Sequence, residues 1–474
     1  MERQTAIVTG LGIGDEAKGA TVEWLTRQLN AHTNLRSGGP QGGAHISRID
    51  GREQMFSQFG AGTFEGAKTH LLHMVVSPWD LFNEAVDLEK NGVEKPLERI
   101  TIDSESLILT PYHSAISRFR EIMRDEKKGT VGKGVGEAIR DSKNPELSIR
   151  AWEFFEPKET LARKVEAIRS SKYSEALEII RQKNGKEMPG AAQMELNILL
   201  NRRLVGQTVD MFSYMAGLVK IVDRSYLDDI LNLPGSIVAE SSQAALLDPR
   251  IGFVPHVTQV DTTGRRVINT LKDHDYRGKV IRLGVSRTYM IRHGAGPFVS
   301  YSPEMTKTLP EAHNANPVDT PWSGEFKRGH YDVVAMKYAI DATGGRRAYD
   351  GLVINFMDIL KDRKEWDVCV AYDYDGDKHD LEDFFVVENG LIRGIKVHHD
   401  DGSSAHLNHL AQLTKLLAKS HPVLTTLKAE DSKSLSEVFI DFVESSLEVP
   451  VVATADGPYV EDRHIRSGHE NSFG

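Results

Sequence analysis

A carboxylate, an ammonium group and several glycines lie together just after the first β-prone segment of the chain. Residues 14–21 read Gly-Asp-Glu-Ala-Lys-Gly-Ala-Thr and follow a predicted strand at residues 5–10. A turn of small residues that opens a helix offers backbone N–H groups to phosphate, Lys18 adds a positive charge, and Asp15 can bind Mg²⁺ or accept a proton. The P-loop spacing, Gly-x4-Gly-Lys-Ser/Thr, is absent. By itself the segment fits either a phosphate site or an ordinary strand-to-helix turn.

Two further glycine clusters lie at predicted element junctions. One covers residues 37–44, before a short strand predicted at 46–49, and the other covers residues 129–136, after a basic helical segment. Glycine allows the backbone to turn sharply and to approach a bound molecule closely. Three such junctions predict close contact between backbone and ligand at several places.

The elements that must position these loops alternate between strand and helix. Short β-branched runs predict strands at 236–240, 279–286, 351–360, 366–372 and 449–454, and helical spacing of apolar residues predicts a helix at 17–29. We expect an α/β fold with one large central sheet and helices packed around it. A single domain at 1–460 is predicted, with a mainly helical subdomain at about 159–229 and a loosely held polar tail at 461–474.

Composition and charge argue against several classes of protein. The chain has 474 residues, of which 40% are hydrophobic and 27% charged, as in globular proteins. A net charge of −10 argues against a broad nucleic-acid-binding surface. Cys369 is the single cysteine, and we find neither a signal-peptide pattern nor an apolar run near the roughly 20 residues of a membrane span. A cytoplasmic protein without nucleic-acid or membrane partners is predicted.

The order of motifs along the chain resembles that of the adenylosuccinate synthetase family. Residues 14–19 are similar to the family signature Gly-Asp-Glu-Gly-Lys-Gly, with Ala17 in place of a glycine. Residues 39–46 resemble the family segment Gly-Gly-His-Asn-Ala-Gly-His-Thr, which places its catalytic histidine at His45 and Ala44 at a glycine. A shift of one residue matches Gln41 to the asparagine of that segment.

Further similarities extend over almost the whole chain. Residues 129–136 resemble Gly-Thr-Thr-Gly-Arg-Gly-Ile-Gly, the family loop that holds the 5′-phosphate of the acceptor nucleotide. Residues 240–243 and 257–263 are similar to Glu-Gly-Ala-Gln and Val-Thr-Ser-Ser-Asn-Thr-Thr, and residues 294–298 are identical to the family's Gly-Ala-Gly-Pro-Phe. Asp358 and residues 457–458 stand where the guanine of GTP is read.

The resemblance implies a fold, a reaction and a set of residues. The implied fold is a large central, mostly parallel sheet flanked by helices with smaller helical subdomains, related to the P-loop NTPases, in a homodimer. The implied reaction uses GTP and Mg²⁺ to phosphorylate O6 of IMP, after which the amine of aspartate displaces phosphate to form an N6-succinyl nucleotide. Asp15 would remove the N1 proton, His45 would stabilise the transferring phosphoryl group, and Lys18 would hold phosphates.

The remaining implied residues bind nucleotide or metal. The implied metal ligands are Asp15 and Ala44. The implied nucleotide-binding residues are Gly14, Glu16, Ala17, Gly19, Gln41, Thr130, Val131, Gln243, Thr258, Asp358 and Gly457.

The predicted amino-acid substrate loop departs from the family pattern. Residues 321–328 read Pro-Trp-Ser-Gly-Glu-Phe-Lys-Arg where the family has an arginine-rich loop, so that Gly324 and Phe326 replace arginines. Glu325 adds a charge that repels a dicarboxylate. Lys327 or Arg328 can still bind one carboxylate, so an amino acid other than aspartate stays open.

The choice of nucleotides also stays open. Phe356 replaces the lysine that accompanies the guanine-reading aspartate in the family, and an aromatic ring can stack on either purine, so that ATP is an alternative to GTP. A related viral branch makes 2-aminoadenylosuccinate from a guanine nucleotide and carries serine at the position of Asp15. The aspartate in this chain therefore favours IMP over GMP or dGMP.

Three hypotheses from different functional classes follow. The chain is a ligase that uses IMP, GTP and aspartate, or a diverged ligase with another amine, acceptor or triphosphate, or a nucleotide-binding regulator that has lost catalysis. Other conspicuous residues have simpler interpretations: residues 373–377 are expected to form a solvated hairpin turn, His398 and His399 a surface turn, and Cys369 part of the core.

Overall fold

The structure is a computed structural model that describes residues 2–40, 46–183, 185, 187–309, 320–376 and 381–473. Its strands are β1 Gln4–Gly10, β2 Thr33–Gly38, β3 Ile46–Ile49, β4 Arg52–Met55, β5 Lys68–Val76, β6 Ile100–Asp103, β7 Leu107–Ile108, β8 Lys220–Val222, β9 Ser236–Ser241, β10 Lys279–Arg287, β11 Tyr289–His293, β12 Phe326–Asp332, β13 Gly351–Asn355, β14 Glu365–Tyr374, β15 Phe385–Glu388, β16 Leu391–Ile395, β17 Ser420–Lys428, β18 Val451–Ala455 and β19 Arg463–Ile465. Its α-helices are α1 Lys18–Gln28, α2 Pro78–Lys90, α3 Pro111–Met123, α4 Val135–Asp141, α5 Lys158–Gln182, α6 Gly190–Leu200, α7 Arg203–Ala216, α8 Tyr226–Asn232, α9 Arg265–Asp273, α10 Pro303–Thr308, α11 Val333–Ala342, α12 Ser404–Leu417 and α13 Leu435–Leu447.

A large sheet runs through the molecule. Within the described ranges it has 11 strands in the order β19-β18-β13-β10-β1-β9-β2-β5-β6-β8, with β7 beside β5. Its pairings are parallel except that between β18 and β19. The central strands β2 and β9 are buried along their whole length, as expected for parallel strands covered on both faces. The predicted α/β class with a large, mostly parallel sheet is confirmed.

Strand β2 was not predicted, because its sequence Thr-Asn-Leu-Arg-Ser-Gly has no apolar pattern. Some of its polar side chains find partners inside the protein: Asn34 donates to Thr26 Oγ1 at 3.0 Å, and Arg36 donates to the Ser57 carbonyl at 3.1 Å. Arg36 lies 3.8 Å from Glu240 of β9, and both side chains are fully buried. Polar residues can therefore form a central strand when a neighbouring strand supplies the opposite charge.

A second sheet carries the end of the predicted amino-acid substrate loop at 321–328, called the amine loop from here on, because β12 begins within it. It has 6 strands among the described residues, ordered β11-β12-β14-β16-β15 with β17 beside β14. The predicted strand at 366–372 is β14 and belongs here, so the expectation that it joins the central sheet was wrong. The apolar pattern of β14 indicates burial but does not specify which sheet the strand joins.

Helices α5 to α8 correspond to the range of about 159–229 that was predicted to be mainly helical. Leu161, Val165 and Ile168 recur at helical spacing on α5, and each is fully buried in the main core. The treatment of this region as a separate subdomain stays a prediction. No helix among the described residues is long and apolar enough to cross a membrane.

The C-terminal tail is packed against the body of the protein, which corrects the expectation of a loose segment. Strand β19 pairs with β18, and Arg466 donates a hydrogen bond of 2.7 Å to Glu444. The Phe473 ring packs edge-on against Trp24, with 5.4 Å between ring centroids. A strand of three residues and a single aromatic ring are too short a pattern to recognise in a polar sequence.

The residues that received simpler interpretations lie outside the large sheet. Cys369 is fully buried, as predicted. Asp375 lies in a bend after β14 and contacts His421, with 2.6 Å between Oδ2 and Nε2, whereas Asp377 lies outside the described residues. His398 is exposed as expected and lies on the ring of His409.

Candidate active site

The predicted site residues collect at the carboxyl ends of neighbouring parallel strands. Strands β18, β13, β10, β1 and β9 are adjacent in the large sheet, and the chain leaves each of them at the same edge. Ligands of open α/β sheets bind at this edge. The predicted residues at this edge include Gly457 after β18, Asp15 after β1 and Gln243 after β9. The sequence analysis did not name Asn355, which ends β13, or Arg287, which ends β10.

The loop between β1 and α1 has a fixed and unusual backbone. Gly14, Asp15 and Ala17 all have positive φ angles, of 115°, 59° and 60°. Arg287 donates a hydrogen bond of 2.9 Å to the Asp15 carbonyl, and Asn355 donates one of 2.8 Å to the Glu16 carbonyl. Left-handed non-glycine residues cost free energy and persist where the surroundings hold them in place. Two neighbouring strands therefore hold this loop against the start of α1.

Glu16 and Lys18 stabilise the loop from within. Both are buried, the Lys18 ammonium lies 3.2 Å from Glu16 Oε2, and the Gly14 N–H donates to Glu16 Oε1 at 2.8 Å. A Cβ atom at Gly10 or Gly12 would lie 2.6 or 2.7 Å from the Glu16 oxygens. The glycines at these two positions, which the sequence analysis did not single out, leave room for the Glu16 carboxylate.

Asp15 points its carboxylate at a histidine that the sequence analysis missed. Asp15 Oδ2 and His293 Nε2 lie 2.5 Å apart. Burial raises the pKa of Asp15, but the charge and hydrogen bond of His293, with the charges of Arg287 and Lys18, outweigh burial and lower the pKa overall. Asp15 is therefore a carboxylate at neutral pH, able to accept a proton or bind a cation. His293 directly precedes the identical pentapeptide 294–298, which was the available signal.

The predicted base-reading residues lie at the ends of β13 and β18. Asp358 is in a 3₁₀ turn after β13, where burial and the nearby charge of Asp456 raise its pKa. Gly457 follows Asp456, and a Cβ there would lie 2.2 Å from an Asp462 oxygen. The structure thus brings Asp358 close to the segment that contains Gly457.

The Phe356 ring contacts Arg287, whereas the sequence analysis expected it to stack on a nucleotide base. The φ of Phe356 is 63°, and its ring lies 3.8 Å from the guanidinium carbon of Arg287, which also lies 3.9 Å from the ring of Tyr289. The positive charge of Arg287 is held between two aromatic faces in a cation–π arrangement. At least one face of Phe356 is therefore occupied by the protein, which limits stacking on a nucleotide base.

The loop at 129–136 is tied to the amine loop. The Gly129 N–H donates to Glu121 Oε1 at 2.8 Å, and the Thr130 N–H donates to the Trp322 carbonyl at 3.2 Å. The Gly132 N–H donates to Thr130 Oγ1 at 3.1 Å, whereas Val131 is exposed. The loop at 129–136 therefore lies beside the start of the amine loop.

Gln243 and Thr258 lie near the end of β9. Gln243 has a φ of 63°, and its Oε1 is buried without a hydrogen-bond partner among the described residues. Buried amide oxygens in proteins are nearly always hydrogen-bonded, so this atom can accept a hydrogen bond from a ligand. The Thr258 N–H donates to the Leu247 carbonyl at 2.8 Å, which fixes its segment beside the strand end.

The amine loop packs through glycine backbones. The Gly294 N–H donates to the Glu325 carbonyl at 2.8 Å, and a Cβ at Gly324 would lie 2.8 Å from the Gly294 Cα. Lys327 Nζ lies 3.7 Å from Glu325 Oε2. Arg328 is 3% exposed and donates to the Thr306 carbonyl at 2.7 Å. This inward orientation leaves Lys327 as the better candidate of the two for a substrate carboxylate.

The oxygen chemistry of the site fits Mg²⁺. This ion prefers hard oxygen ligands and is commonly bound by one or two carboxylates together with substrate phosphates. Asp15 offers such a carboxylate, whereas the Glu16 carboxylate is used by Lys18 and Gly14. Among the described residues no group of three or more His, Cys, Asp or Glu side chains is arranged to hold a metal. The predicted residues Gln41, Ala44 and His45 lie outside the described ranges.

Comparison with known proteins identifies the family of this chain. A family model described as adenylosuccinate synthetase matches residues 7–463. The adenylosuccinate synthetase of Lactobacillus helveticus is 25% identical over 460 residues, which cover 95% of this chain and 96% of the relative. That of Xanthomonas campestris pv. campestris is 28% identical over 388 residues, which cover 79% and 81%.

Two solved structures share the fold. The fully ligated adenylosuccinate synthetase of Plasmodium falciparum aligns with a TM-score of 0.73 at 18% identity, covering 98% of this chain and 99% of the other. The cyanophage S-2L succinoaminodeoxyadenylate synthetase, bound to dGMP and to dATP as an energy donor, aligns with a TM-score of 0.55 at 14% identity, covering 100% and 99%. The chain belongs to the adenylosuccinate synthetase family of carbon–nitrogen ligases.

Proposed function

We propose that this chain transfers the γ-phosphoryl group of a nucleoside triphosphate to O6 of a 6-oxopurine nucleotide, and then joins an amine to C6. Phosphorylation is needed because a purine oxo group is a poor leaving group. In the second step the amine nitrogen bonds to C6, and the C6–O6 bond breaks to release phosphate. The observation that carries the proposal is the position of the Asp15 carboxylate, 2.5 Å from His293 Nε2, at the strand edge where the predicted nucleotide-binding residues collect.

Asp15 is the proposed base and metal ligand, with Ala44 as a second ligand. Removal of the N1 proton increases the electron density at O6, which then attacks the γ-phosphorus. Mg²⁺, when bound, would neutralise charge on the transferring phosphates. The backbone amides around Gly14, Ala17 and Gly19 bind phosphate in this proposal together with Lys18, whose ammonium lies 3.2 Å from Glu16 Oε2. His45 is proposed to stabilise the phosphoryl group during transfer.

The acceptor nucleotide is proposed to bind between the loop at 129–136 and the end of β9. Thr130 and Val131 would contact its 5′-phosphate, and Gln243 and Thr258 would contact the rest of the nucleotide, with Gln41 on the segment after β2. The buried Gln243 Oε1 supports a donor on the ligand. IMP is the preferred acceptor because this chain has an aspartate at position 15, where the viral branch that uses a guanine nucleotide carries serine. GMP or dGMP is the alternative, supported by the dGMP bound to the cyanophage enzyme.

GTP is the proposed phosphate donor. Asp358 and Gly457 lie at adjacent strand ends, and a carboxylate is suited to accept hydrogen bonds from guanine N1–H and its 2-amino group. ATP is the alternative. The dATP bound to the cyanophage enzyme supports it, as does the loss of the family lysine at Phe356.

Aspartate is the proposed amine, but the amine loop favours a second candidate with fewer negative charges. The positive charge of Lys327 is partly neutralised by Glu325, and the Arg328 side chain points inward to the Thr306 carbonyl. A substrate with a single carboxylate needs only one cation and avoids the repulsion of Glu325. An amino acid with a neutral side chain therefore fits the described part of this loop better than a dicarboxylate does.

The proposed setting is a homodimer in the cytoplasm that acts on small molecules. Family resemblance supports the dimer, and light scattering coupled to size-exclusion chromatography tests it directly. A monomer at micromolar concentration would contradict this part of the proposal.

Mass spectrometry of the reaction products tests the function. The chain is incubated with Mg²⁺, either IMP or GMP, either GTP or ATP, and a pool of amino acids. A nucleotide adduct with release of nucleoside diphosphate and phosphate is expected, and its mass identifies both the amine and the acceptor. Hydrolysis or binding without an adduct under every combination would contradict the ligase and favour a nucleotide-binding regulator.

A further inference from the structure

We propose that His293 is a positioning residue, whose imidazole holds the Asp15 carboxylate in the orientation that takes the proton from N1 of the acceptor base. This inference rests on the proposed function. His293 lies outside the motifs that identified the family, and its contact fixes a side chain on a strained loop.

The contact joins an imidazole nitrogen to a carboxylate oxygen. The distance between His293 Nε2 and Asp15 Oδ2 is 2.5 Å. In the proposed function Asp15 is the carboxylate that accepts the N1 proton, and a carboxylate accepts hydrogen bonds, so the imidazole N–H is the donor in this proposal. Among the described residues, His293 supplies the side-chain hydrogen bond to Asp15, while Arg287 holds only its main-chain carbonyl. Without His293 the backbone would be fixed, but the carboxylate could still rotate.

His293 is itself held by regular structure. It is the last residue of β11 and lies opposite Phe326 in the antiparallel ladder with β12, and the two rings are 4.7 Å apart. The next residue, Gly294, donates its N–H to the Glu325 carbonyl at 2.8 Å. A group on a strand is placed more accurately than one on a loop. The second sheet therefore supplies a rigid support for a carboxylate that lies on a loop of the first.

The contact with His293 leaves one carboxylate oxygen of Asp15 available. His293 contacts Oδ2, so Oδ1 is the oxygen available to the acceptor or to a cation. The His293 side chain is 37% exposed and that of Asp15 is 15% exposed, so the pair lies at the surface of the site and not in the core. Partners that orient a ligand carboxylate typically contribute about 10- to 100-fold in activity.

Two substitutions separate positioning from general stability. His293→Gln retains an N–H donor near the position of Nε2, whereas His293→Leu removes the donor at a similar volume. We expect kcat to fall about 10- to 100-fold in His293→Leu, with KM for the acceptor nearly unchanged, and to recover most of its value in His293→Gln. His421→Leu is the matched control, since it removes an exposed histidine that also contacts an aspartate, and it should leave kcat unchanged.

Two results would overturn the inference. One is wild-type kcat in His293→Leu. The other is an equal loss in the Leu and Gln variants together with a fall in melting temperature, which would indicate a purely structural role.

Proton NMR provides a readout that does not depend on the reaction. A low-field imidazole N–H resonance is expected in the wild-type chain, absent from His293→Gln and shifted in Asp15→Asn. If the wild-type chain makes no adduct, the proposed function fails, and a resonance that responds to both substitutions still supports the contact. A resonance missing from the wild type, or indifferent to Asp15, would refute the positioning role.

Discussion

The Lys18 ammonium lies 3.2 Å from Glu16 Oε2, and neither side chain reaches solvent. The positive charge of Lys18 is therefore paired with the Glu16 carboxylate of the same loop. Glu16 in turn accepts the Gly14 N–H, so that the ion pair closes the turn between β1 and α1. The same carboxylate therefore joins the Lys18 ammonium and the Gly14 amide.

Glu16→Gln is expected to destabilise the protein strongly, because it leaves the Lys18 charge buried without a counter-charge. Removing one partner of a buried ion pair typically lowers the free energy of unfolding by about 3–5 kcal/mol. Urea unfolding measures the loss. The double variant Glu16→Gln/Lys18→Met removes both charges and should lose less. Equal losses in the single and double variants would show that the pair is not the source of the stability.

Asp15→Asn is expected to reduce kcat for adduct formation by about 100- to 1,000-fold, because an amide cannot take the N1 proton. Steady-state kinetics with the identified substrates measures the change. Asp375→Asn is the matched control, since Asp375 also contacts a histidine, at 2.6 Å, but lies in an exposed bend. A fully active Asp15→Asn enzyme would exclude Asp15 as the base.

Gly324→Ala is expected to separate the amine loop from the segment at 294–298. The new Cβ would lie 2.8 Å from the Gly294 Cα, where backbone cannot move aside easily. We expect kcat/KM for the amine to fall by up to about 100-fold, the effect of a misplacement of about 1 Å. Gly402→Ala is the control, because Gly402 has a similar φ of +74° with nothing within 4 Å. Equal effects of both substitutions would indicate backbone strain alone.

Glu325→Gln is expected to shift amine preference toward aspartate. The substitution removes a negative charge 3.7 Å from Lys327 Nζ. Because Glu325 is exposed, the ratio of kcat/KM for aspartate to that for a neutral amino acid should rise only about 2- to 5-fold. Glu365→Gln, which removes an exposed glutamate 3.8 Å from Lys428, serves as the control. An unchanged ratio would mean that Glu325 does not influence the choice of amine.

His70 is expected to make the fold sensitive to acid. Burial, with the nearby charge of His73, lowers the pKa of His70 to about 4 from an ordinary value of 6.5. Between these values the unfolded chain binds a proton that the folded chain does not, so stability falls as the pH falls from 6.5 toward 4. The loss from His70 between pH 7 and pH 5 is about 2 kcal/mol.

Urea unfolding at pH 7 and pH 5 measures this dependence. The variant His70→Gln can keep a hydrogen bond with Thr101, which lies 2.8 Å from His70 Nδ1, but it has no titrating group. Its stability should therefore change less between the two pH values. The same pH dependence in wild type and variant would assign the acid sensitivity to other groups.

The sequence by itself determined the chemistry-bearing loop, its glycines and most of the strands that position it. These features are local: glycine favours left-handed turns, and buried parallel strands favour continuous apolar runs. The order of motifs also determined the family, since Asp15, Gln243, Asp358 and Gly457 were placed by their neighbours in the chain. All four then lie at one edge of the large sheet, because parallel strands end at the same side.

Only the tertiary structure decided which side chains meet. Asp15 and His293 are 278 residues apart, and their contact requires β11 of the second sheet to end beside the loop after β1. Arg328 turns inward because its side of β12 packs against α10, where Thr306 offers a carbonyl. The direction of a side chain depends on strand register and on the neighbouring layer, and a linear pattern of residues records neither.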